Sequence, residues 1–137
     1  MPKLKRLLPT WTSLRDTCDK LFSLAIRIRD KRKNGGMCIV CNRRLIQTCY
    51  HIIPRDRMGI RWNPMNAVGS CKGCNLDERY SRGGKRDHVQ IIWIPRFGQA
   101  YIDNLLELEK KHVKWSVDEL AELRNGLREQ LGARVFL

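Results

Sequence analysis

Two Cys-x-x-Cys pairs constrain this chain more than any other feature of its sequence. Cys38 pairs with Cys41 and Cys71 with Cys74, and each pair is followed directly by an asparagine. One such turn places two thiolates at tetrahedral spacing on a metal ion, so two turns make a closed four-thiolate site that favours structural Zn²⁺. A single pair could be a redox motif, but two pairs in a basic chain favour zinc. We therefore predict a structural zinc ion.

The charge of the chain indicates a polyanionic partner. Its 137 residues include 27 Lys or Arg against 14 Asp or Glu, which gives a formal net charge of +13. Nucleic acid is the first candidate, because each phosphate that Lys or Arg neutralises releases a condensed counterion. An anionic membrane surface is the rival, but a membrane binder carries its charges on one amphipathic helix. Here the basic residues spread over loops and several helices, so we expect DNA and no membrane.

The length and the cysteine usage indicate one domain in a reducing compartment. A chain of 137 residues suits a single domain with a modest core. No secretory signal and no apolar run of transmembrane length is evident, so we expect a soluble cytoplasmic protein. Disulfides are rare there, and six cysteines indicate metal ligation first. We expect Cys18 to be a buried thiol and Cys49 to be either a packed residue or a neighbour of the active site.

The periodicity predicts an α+β domain, in which a small zinc-stapled core over 37–84 is flanked by helices. A helix is predicted over 12–33, and its basic C-terminal end is either solvated or in contact with phosphate. Within the core, short strands are predicted at 44–48 and 50–53, and a helix begins near Cys71.

The remainder, 85–137, is predicted to be helical. A short apolar helix over 85–94 should stop at Pro95, and a second helix should cover 99–112. Ser116 and Glu119 form a capping-box pattern at the start of a last helix. The leucine stripe of that helix is expected to be core or an oligomer seam.

The stretch between the two cysteine pairs contains a recognisable order of residues. It carries His51-Ile-Ile-Pro54, then Asn66, then Cys74-Asn75. These positions resemble those of an HNH (ββα-metal) nuclease, which has a His at a strand end, an Asn in the next loop and an Asn or His on the helix behind the second cysteine pair.

The closest resemblance is to the NinG-type recombination proteins of lambda-like phages, and a more distant one is to endonuclease VII-type resolvases. The NinG likeness covers most of the chain from about Leu21 onward. It is carried by Arg27 to Asp30, Cys38 to Cys41, His51 to Arg55, Arg61-Trp62, Asn66, Cys71 to Asn75, Gly83-Gly84 and the tail WSVDEL. The resolvases share the four-cysteine frame and the spacing of Asn75 and Glu78.

This resemblance implies a metal-dependent endonuclease that acts on branched DNA during phage recombination in the host cytoplasm. His51 would be the general base, since histidine titrates near neutral pH. Asn75 and Glu78 would bind Mg²⁺ or Mn²⁺ through oxygen atoms, and they share a helix face. Asn66 would pin the loop and orient His51. The predicted nucleic-acid contacts are Arg43, Arg44, Arg55, Arg57, Arg61 and Lys85.

One position departs from the HNH pattern. Where these nucleases carry an acidic or His metal ligand immediately before the catalytic His, this chain has Tyr50. The first metal ligand would then be Asp56 or Asp77, or the site is weak or inactive. The alternative function is a non-catalytic zinc module that binds nucleic acid. A sequence-specific homing or restriction nuclease is less favoured, because no separate recognition domain is evident. Resolution of a junction needs two active sites, which predicts a symmetric homodimer.

Overall fold

A computed structural model describes residues 7–75 and 89–133, as four α-helices and a two-stranded sheet with shorter helical turns. In chain order the elements are α1 (Trp11–Lys33), β1 (Thr48–His51), a 3-10 turn (Pro64–Asn66), β2 (Ala67–Ser70), a helical turn at 72–75, a π-helical turn (Val89–Trp93), α2 (Ile94–Phe97), α3 (Gln99–Glu109) and α4 (Val117–Ala133). The fold is therefore α+β, as the sequence predicts.

Helix α1 follows from a cap and an apolar stripe, and the helix predicted over 12–33 is present. The Thr10 hydroxyl accepts a hydrogen bond from the Ser13 amide at 3.1 Å, which satisfies one of the free N–H groups of the first turn. Buried residues then recur every four positions at Leu14, Cys18, Phe22 and Ile26. This spacing keeps one face of the helix against the core.

The two strands of the observed sheet differ in position from the predicted strands. β1 and β2 are antiparallel, with Thr48 opposite Ser70 and His51 opposite Ala67. The strand predicted at 44–48 is wrong, because Leu45 makes only an isolated bridge to Met37. The one predicted at 50–53 is shifted, since β1 ends at His51.

Strand β2 lies in a stretch for which the sequence predicts no strand. It has four residues and all are buried, so it shows no alternation of polar and apolar positions. Gly69 is required there, because a Cβ would lie 2.9 Å from Cδ1 of Ile46 and 3.2 Å from Cβ of Asp30.

Pro95 does not stop a helix, contrary to the prediction for 85–94. It lies in the first turn of α2, where its missing N–H would have no partner within the helix. The helical path through Val89–Trp93 and α2 ends instead at Gly98, whose φ is +90°. Residues 85–88 lie outside the described residues.

The last two helices largely follow the sequence pattern. α3 begins at the predicted residue and ends at Glu109, three residues early. The capping box of α4 is present, since the Ser116 hydroxyl accepts from the Glu119 amide at 3.1 Å and the Glu119 carboxylate accepts from the Ser116 amide at 3.3 Å.

The sheet lies between two apolar clusters. α1 and α4 form the first, in which Leu120 and Leu127 pack with Phe22 and Ile26. These two leucines are therefore core and not an oligomer seam. The second cluster joins Tyr50 and Val68 of the sheet to Trp93, Ile102 and Leu105 of the following helices. Among residues 7–75 and 89–133, no helix is both long and apolar enough to cross a membrane.

Candidate metal centre and histidine site

The four cysteines of the two pairs converge on one point. Their sulfur atoms all lie within 4.8 Å of one another, and Sγ of Cys41 and Sγ of Cys71 are 3.9 Å apart. Tetrahedral Zn²⁺ with Zn–S bonds of about 2.3 Å separates its sulfurs by about 3.8 Å, whereas a disulfide bond measures about 2.05 Å. The spacing therefore suits a metal ion and excludes cross-links within the cluster.

Hydrogen bonds from main-chain amides fix the shape of each cysteine turn and its position against β2. In the first turn, the Cys38 amide donates to the Arg44 carbonyl at 2.7 Å, and Asn42 adopts a left-handed conformation with φ +52°. The Ile39 amide donates to the Gly69 carbonyl at 3.0 Å, which attaches this turn to β2. The second turn begins directly after β2, and the Cys74 amide donates to Sγ of Cys71 at 3.4 Å.

The thiols of the cluster differ in acidity. The backbone amide of Arg43, with that of Arg44, lowers the pKa of Cys41 to about 6. Burial raises the pKa of Cys74 well above its ordinary value, and the neighbouring Cys71 and Cys41 raise it further. A bound divalent cation would remove this difference in acidity, because a thiol that coordinates such an ion is deprotonated. The donor set thus fits a metal such as zinc.

His51 ends β1 with a defined ring orientation. Its Nε2 lies 3.0 Å from the carbonyl oxygen of Arg61, which can only accept, so Nε2 carries a hydrogen and donates it. The ring also stacks on Phe22, with centroids 5.8 Å apart and an interplanar angle of 30°. The hydrogen bond and the ring contact together fix the orientation of the half-buried imidazole.

Asn66 fixes the loop that carries the Arg61 carbonyl. Its side chain is fully buried; its Oδ1 accepts from the Ile53 amide at 2.8 Å, and its Nδ2 donates to the carbonyls of Ile53 at 2.9 Å and Ile60 at 3.3 Å. Both ends of the loop are therefore joined through one side chain. Asn66 thus ties the loop together, and its predicted role in orienting His51 stays a prediction.

Arg61 does not have the predicted role. Its guanidinium donates to the Asp19 carboxylate from Nε at 2.9 Å and from Nη2 at 2.6 Å, and to the Arg55 carbonyl at 2.9 Å. The residue is only 9% exposed. The prediction that Arg61 holds a phosphate is therefore wrong. Arg61 anchors the loop of residues 52–63, which follows His51 and which we call the histidine loop, to α1.

Two aspartates on α1 were missed by the sequence analysis. Asp19 binds Arg61 and also accepts from the indole N–H of Trp62 at 3.0 Å. Asp30 is buried and accepts from Arg29 at 2.7 Å and from the Gly69 amide at 2.7 Å. Asp30 continues the four-residue spacing of the buried stripe of α1, and this signal could have placed it in the core.

Arg29 completes the connection between α1 and the sheet. Its guanidinium donates to the carbonyls of Pro64 at 2.9 Å and Ala67 at 2.7 Å. The Arg27 to Asp30 segment, on which the family resemblance partly rests, thus holds the start of β2 in place.

The other predicted phosphate-binding arginines lie at the surface. Arg43 and Arg44 are exposed beside the first cysteine turn. The side chains of Arg55 and Arg57 are 60% and 59% exposed, and they lie 3.9 Å from Asp19 and 3.4 Å from Glu109 respectively. These four side chains remain accessible to a partner, while Lys85 lies outside the described residues.

The predicted catalytic-ion site is only partly described. Asn75 is in the helical turn after β2, and its amide lies 3.3 Å from the Cys71 carbonyl. Glu78 and Asp77 lie outside the described residues, and Asp56 is exposed. Within 7–75 and 89–133, the four cysteines are the one group of three or more His, Cys, Asp or Glu side chains placed to hold a metal ion.

Tyr50 is buried on the side of the sheet opposite His51. It is 1% exposed and packs against Trp93 with ring centroids 5.3 Å apart, and burial raises its pKa to about 12. Because adjacent residues of a strand point to opposite faces, this side chain is part of the second apolar cluster and away from the histidine.

The two remaining cysteines lie apart from the cluster. Cys18 is buried, as predicted, with its Sγ 3.5 Å from the Leu120 carbonyl. Cys49 packs against the first apolar cluster, and burial raises its pKa to about 12. Both therefore behave as packed thiols.

Comparison with known proteins adds no relative: no family model matches the chain, and neither does a curated protein or a solved structure.

Proposed function

We propose that this chain is a metal-dependent DNA endonuclease with an HNH (ββα-metal) active site, acting on branched or otherwise structured DNA. The observation that carries the proposal is the setting of His51. It is the last residue of β1, opposite Ala67 in the register of the sheet, and its Nε2 donates to the main-chain carbonyl of Arg61. A general base that acts through Nδ1 would need its ring oriented in this way, by a hydrogen bond from Nε2.

The proposed resident metal is a structural Zn²⁺ held by Cys38, Cys41, Cys71 and Cys74. A closed set of four thiolates leaves no open position for water or substrate, so its role is to hold the fold. It would join the loop before β1 to the turn after β2, and in that way set the position of both strands.

His51 would act as the general base. Its Nδ1 would take a proton from the water that attacks the phosphorus, while the Arg61 carbonyl stabilises the imidazolium through Nε2. Asn75 and Glu78 are the proposed ligands of Mg²⁺ or Mn²⁺, whose charge would stabilise the phosphate and the leaving oxygen.

The DNA would be bound by exposed arginines and not by Arg61. Arg43 and Arg44 on the first cysteine turn, and Arg55 and Arg57 on the histidine loop, are the described candidates, and Lys85 is a further one. The net charge of +13 supports such a partner. The preference for branched DNA, the phage origin and the host cytoplasm rest on the family resemblance alone.

The second candidate is a non-catalytic zinc module that binds nucleic acid. Two observations favour it: Tyr50 is buried where HNH nucleases carry a metal ligand, and the described residues form no metal cluster besides the cysteines. It predicts binding without cleavage.

A cleavage assay separates the two. Labelled duplex, flap and four-way-junction DNA would be incubated with the protein and Mg²⁺ or Mn²⁺, and binding would be measured in parallel. The variant is His51→Ala, and the control is His112→Ala, which changes an exposed histidine outside the site. Loss of a general base costs about 10²- to 10⁴-fold in rate.

The nuclease proposal predicts metal-dependent cutting that is lost in His51→Ala and kept in His112→Ala, with DNA binding unchanged in both. Tight binding with no cutting under either metal would establish the binding module instead. Equal cutting by both variants would remove His51 from the mechanism.

A further inference from the structure

Helix α1 contacts the histidine site through two side chains that lie one turn apart. The ring of Phe22 stacks on the imidazole of His51. The carboxylate of Asp19 binds the side chain of Arg61, whose carbonyl oxygen accepts from Nε2 of His51. Residues three apart on a helix lie on the same face. One face of α1 therefore reaches both the imidazole ring and the loop that carries its hydrogen-bond partner.

The Asp19 carboxylate meets Arg61 at two points. Nε of Arg61 donates to Oδ1 at 2.9 Å and Nη2 donates to Oδ2 at 2.6 Å, while Nη1 donates to the Arg55 carbonyl at 2.9 Å. The indole N–H of Trp62 donates to Oδ1 as well, at 3.0 Å. A bidentate pair of arginine and carboxylate fixes the direction of the guanidinium as well as its distance. Donors from two adjacent residues thus set the position of the histidine loop relative to α1.

This ion pair is largely removed from water, with the side chains of Arg61 and Asp19 11% and 20% exposed. Desolvated ion pairs add little net stability, and apolar side chains of similar volume often stabilise a fold as well. Apolar burial has no preferred direction, however, whereas a hydrogen bond does. The use of charge at this point therefore indicates a requirement for fixed geometry, and the group of Arg61 that contacts the site is its carbonyl.

We propose that Asp19 is a positioning residue of the active site, which holds the Arg61 carbonyl, and through it the imidazole of His51, in the orientation required for proton transfer. This inference rests on the proposed role of His51 as the general base. Asp19 itself would touch neither DNA nor metal and would act only through Arg61. A displacement of about 1 Å at a reacting group can lower a rate about a hundredfold, so an ion pair outside the site can matter to the reaction.

Matched variants separate positioning from stability. Asp19→Asn keeps the size of the side chain but loses the charge and one acceptor, whereas Asp19→Glu keeps the charge and both oxygen atoms. Arg61→Lys keeps the positive charge and loses the planar fork, and it takes the place of Asp19→Asn should that variant not fold. The control is Asp16→Asn, whose carboxylate lies on the same helix, pairs with Arg15 and is 55% exposed.

The first readout is the imidazole of His51, followed by NMR of its ring nitrogens, which needs neither DNA nor cleavage. We expect Asp19→Asn and Arg61→Lys to shift the Nε2 signal of His51, because the hydrogen bond to the Arg61 carbonyl is displaced. Asp16→Asn should leave that signal at its wild-type position, and Asp19→Glu should bring it nearer to wild type than Asp19→Asn does. The exposed His112 is the internal reference and should not shift in any variant.

The second readout is single-turnover cleavage of a four-way junction with Mg²⁺ or Mn²⁺, with DNA binding measured in parallel. A positioning role predicts that Asp19→Asn lowers the rate at saturating protein about 10- to 100-fold. The Kd for DNA should stay at its wild-type value, and Asp19→Glu should restore part of the rate. A purely structural role would instead lower the folded fraction, and with it the amplitude of cleavage, without changing the rate of the folded protein.

The two readouts fail independently. A wild type that never cuts DNA would refute the proposed nuclease and with it the catalytic purpose of this contact, whereas the NMR result decides by itself whether Asp19 positions His51. Unchanged His51 signals in folded Asp19→Asn and Arg61→Lys would overturn the inference even if the wild type cuts DNA. A cleavage rate equal to wild type in both variants would overturn it as well.

Discussion

At the residue scale, the ion pair of Asp19 and Arg61 decides where His51 is held. The carbonyl that accepts from His51 belongs to Arg61, and the Arg61 side chain is fixed to α1 by Asp19. A substitution at Asp19 would therefore change the position of His51 through the side chain and the carbonyl group of Arg61. This connection spans 42 residues of sequence, and no local pattern predicts it.

Asp19 also makes stability depend on pH. Burial alone would raise the pKa of its carboxyl, but the hydrogen bond and charge of Arg61 outweigh this and leave the pKa below its ordinary 3.8. A carboxyl with a lowered folded-state pKa contributes stability that is present above the unfolded pKa and is lost as the pH falls through the folded one.

We therefore expect Asp19→Asn to lower the free energy of unfolding at pH 7 by about 1.5–3 kcal/mol, the range for hydrogen bonds to charged groups. The difference from wild type should shrink below about pH 4. Urea denaturation at a series of pH values measures it. The control is Asp16→Asn, whose carboxylate pairs with Arg15 and is 55% exposed, so its loss should cost little. Equal losses in the two variants would contradict this account.

At the element scale, the histidine loop is held by close contact with the end of α3. A Cβ at Gly59 would lie 3.0 Å from the main-chain carbonyl oxygens of both Leu108 and Lys111. Main-chain atoms cannot move aside as the end of a side chain can. Gly59 is thus required for this approach, whereas Gly126 in α4 meets no such neighbour.

Gly59→Ala and Gly126→Ala should accordingly have opposite effects. We expect the first to destabilise the protein by about 1–3 kcal/mol through overpacking. The second should stabilise it by about 0.5–1 kcal/mol, because alanine restricts the unfolded chain and favours the helix. Thermal or urea denaturation of both variants measures these changes. A change in the free energy of unfolding with the same sign in both variants would contradict the close packing of the histidine loop at Gly59.

The elements differ in how far their sequence predicts them. α1 and α4 each carry a cap and an apolar stripe. These are local signals, and the sequence predicts both helices. The sequence does not predict β2, because four consecutive buried residues show no alternation of polar and apolar positions. The helix end predicted at Pro95 is wrong, because a proline is equally common in the first turn of a helix. The cysteine cluster was predicted because the spacing of each pair is local, whereas the buried role of Arg61 depends on a distant partner.

At the scale of the whole molecule, the cysteine cluster lies where the loop before β1 meets the turn after β2. The first cysteine turn is hydrogen-bonded to β2, and the second continues from it, while α1 and α3 pack on opposite sides of the sheet. A metal ion bound by the four cysteines would crosslink these parts of the fold.

Metal removal should therefore unfold the protein. Native mass spectrometry should find one Zn²⁺ per chain, and chelation should abolish the cooperative thermal transition. Cys74→Ala should lose the metal, whereas Cys49→Ala, which changes a packed thiol away from the cluster, should retain it. A cooperative transition that survives complete removal of zinc would contradict a structural role for the cluster.

The account as a whole depends on His51 as the base of a phosphodiester hydrolysis. The most direct measurement is single-turnover cleavage of a four-way junction by wild type and His51→Ala, against pH and with added imidazole. We predict a wild-type rate that rises with pH as the base is deprotonated, a variant without that rise, and recovery of the variant by imidazole. A variant with the wild-type rate and pH profile, or a wild type that binds the junction and never cuts it, would contradict the account.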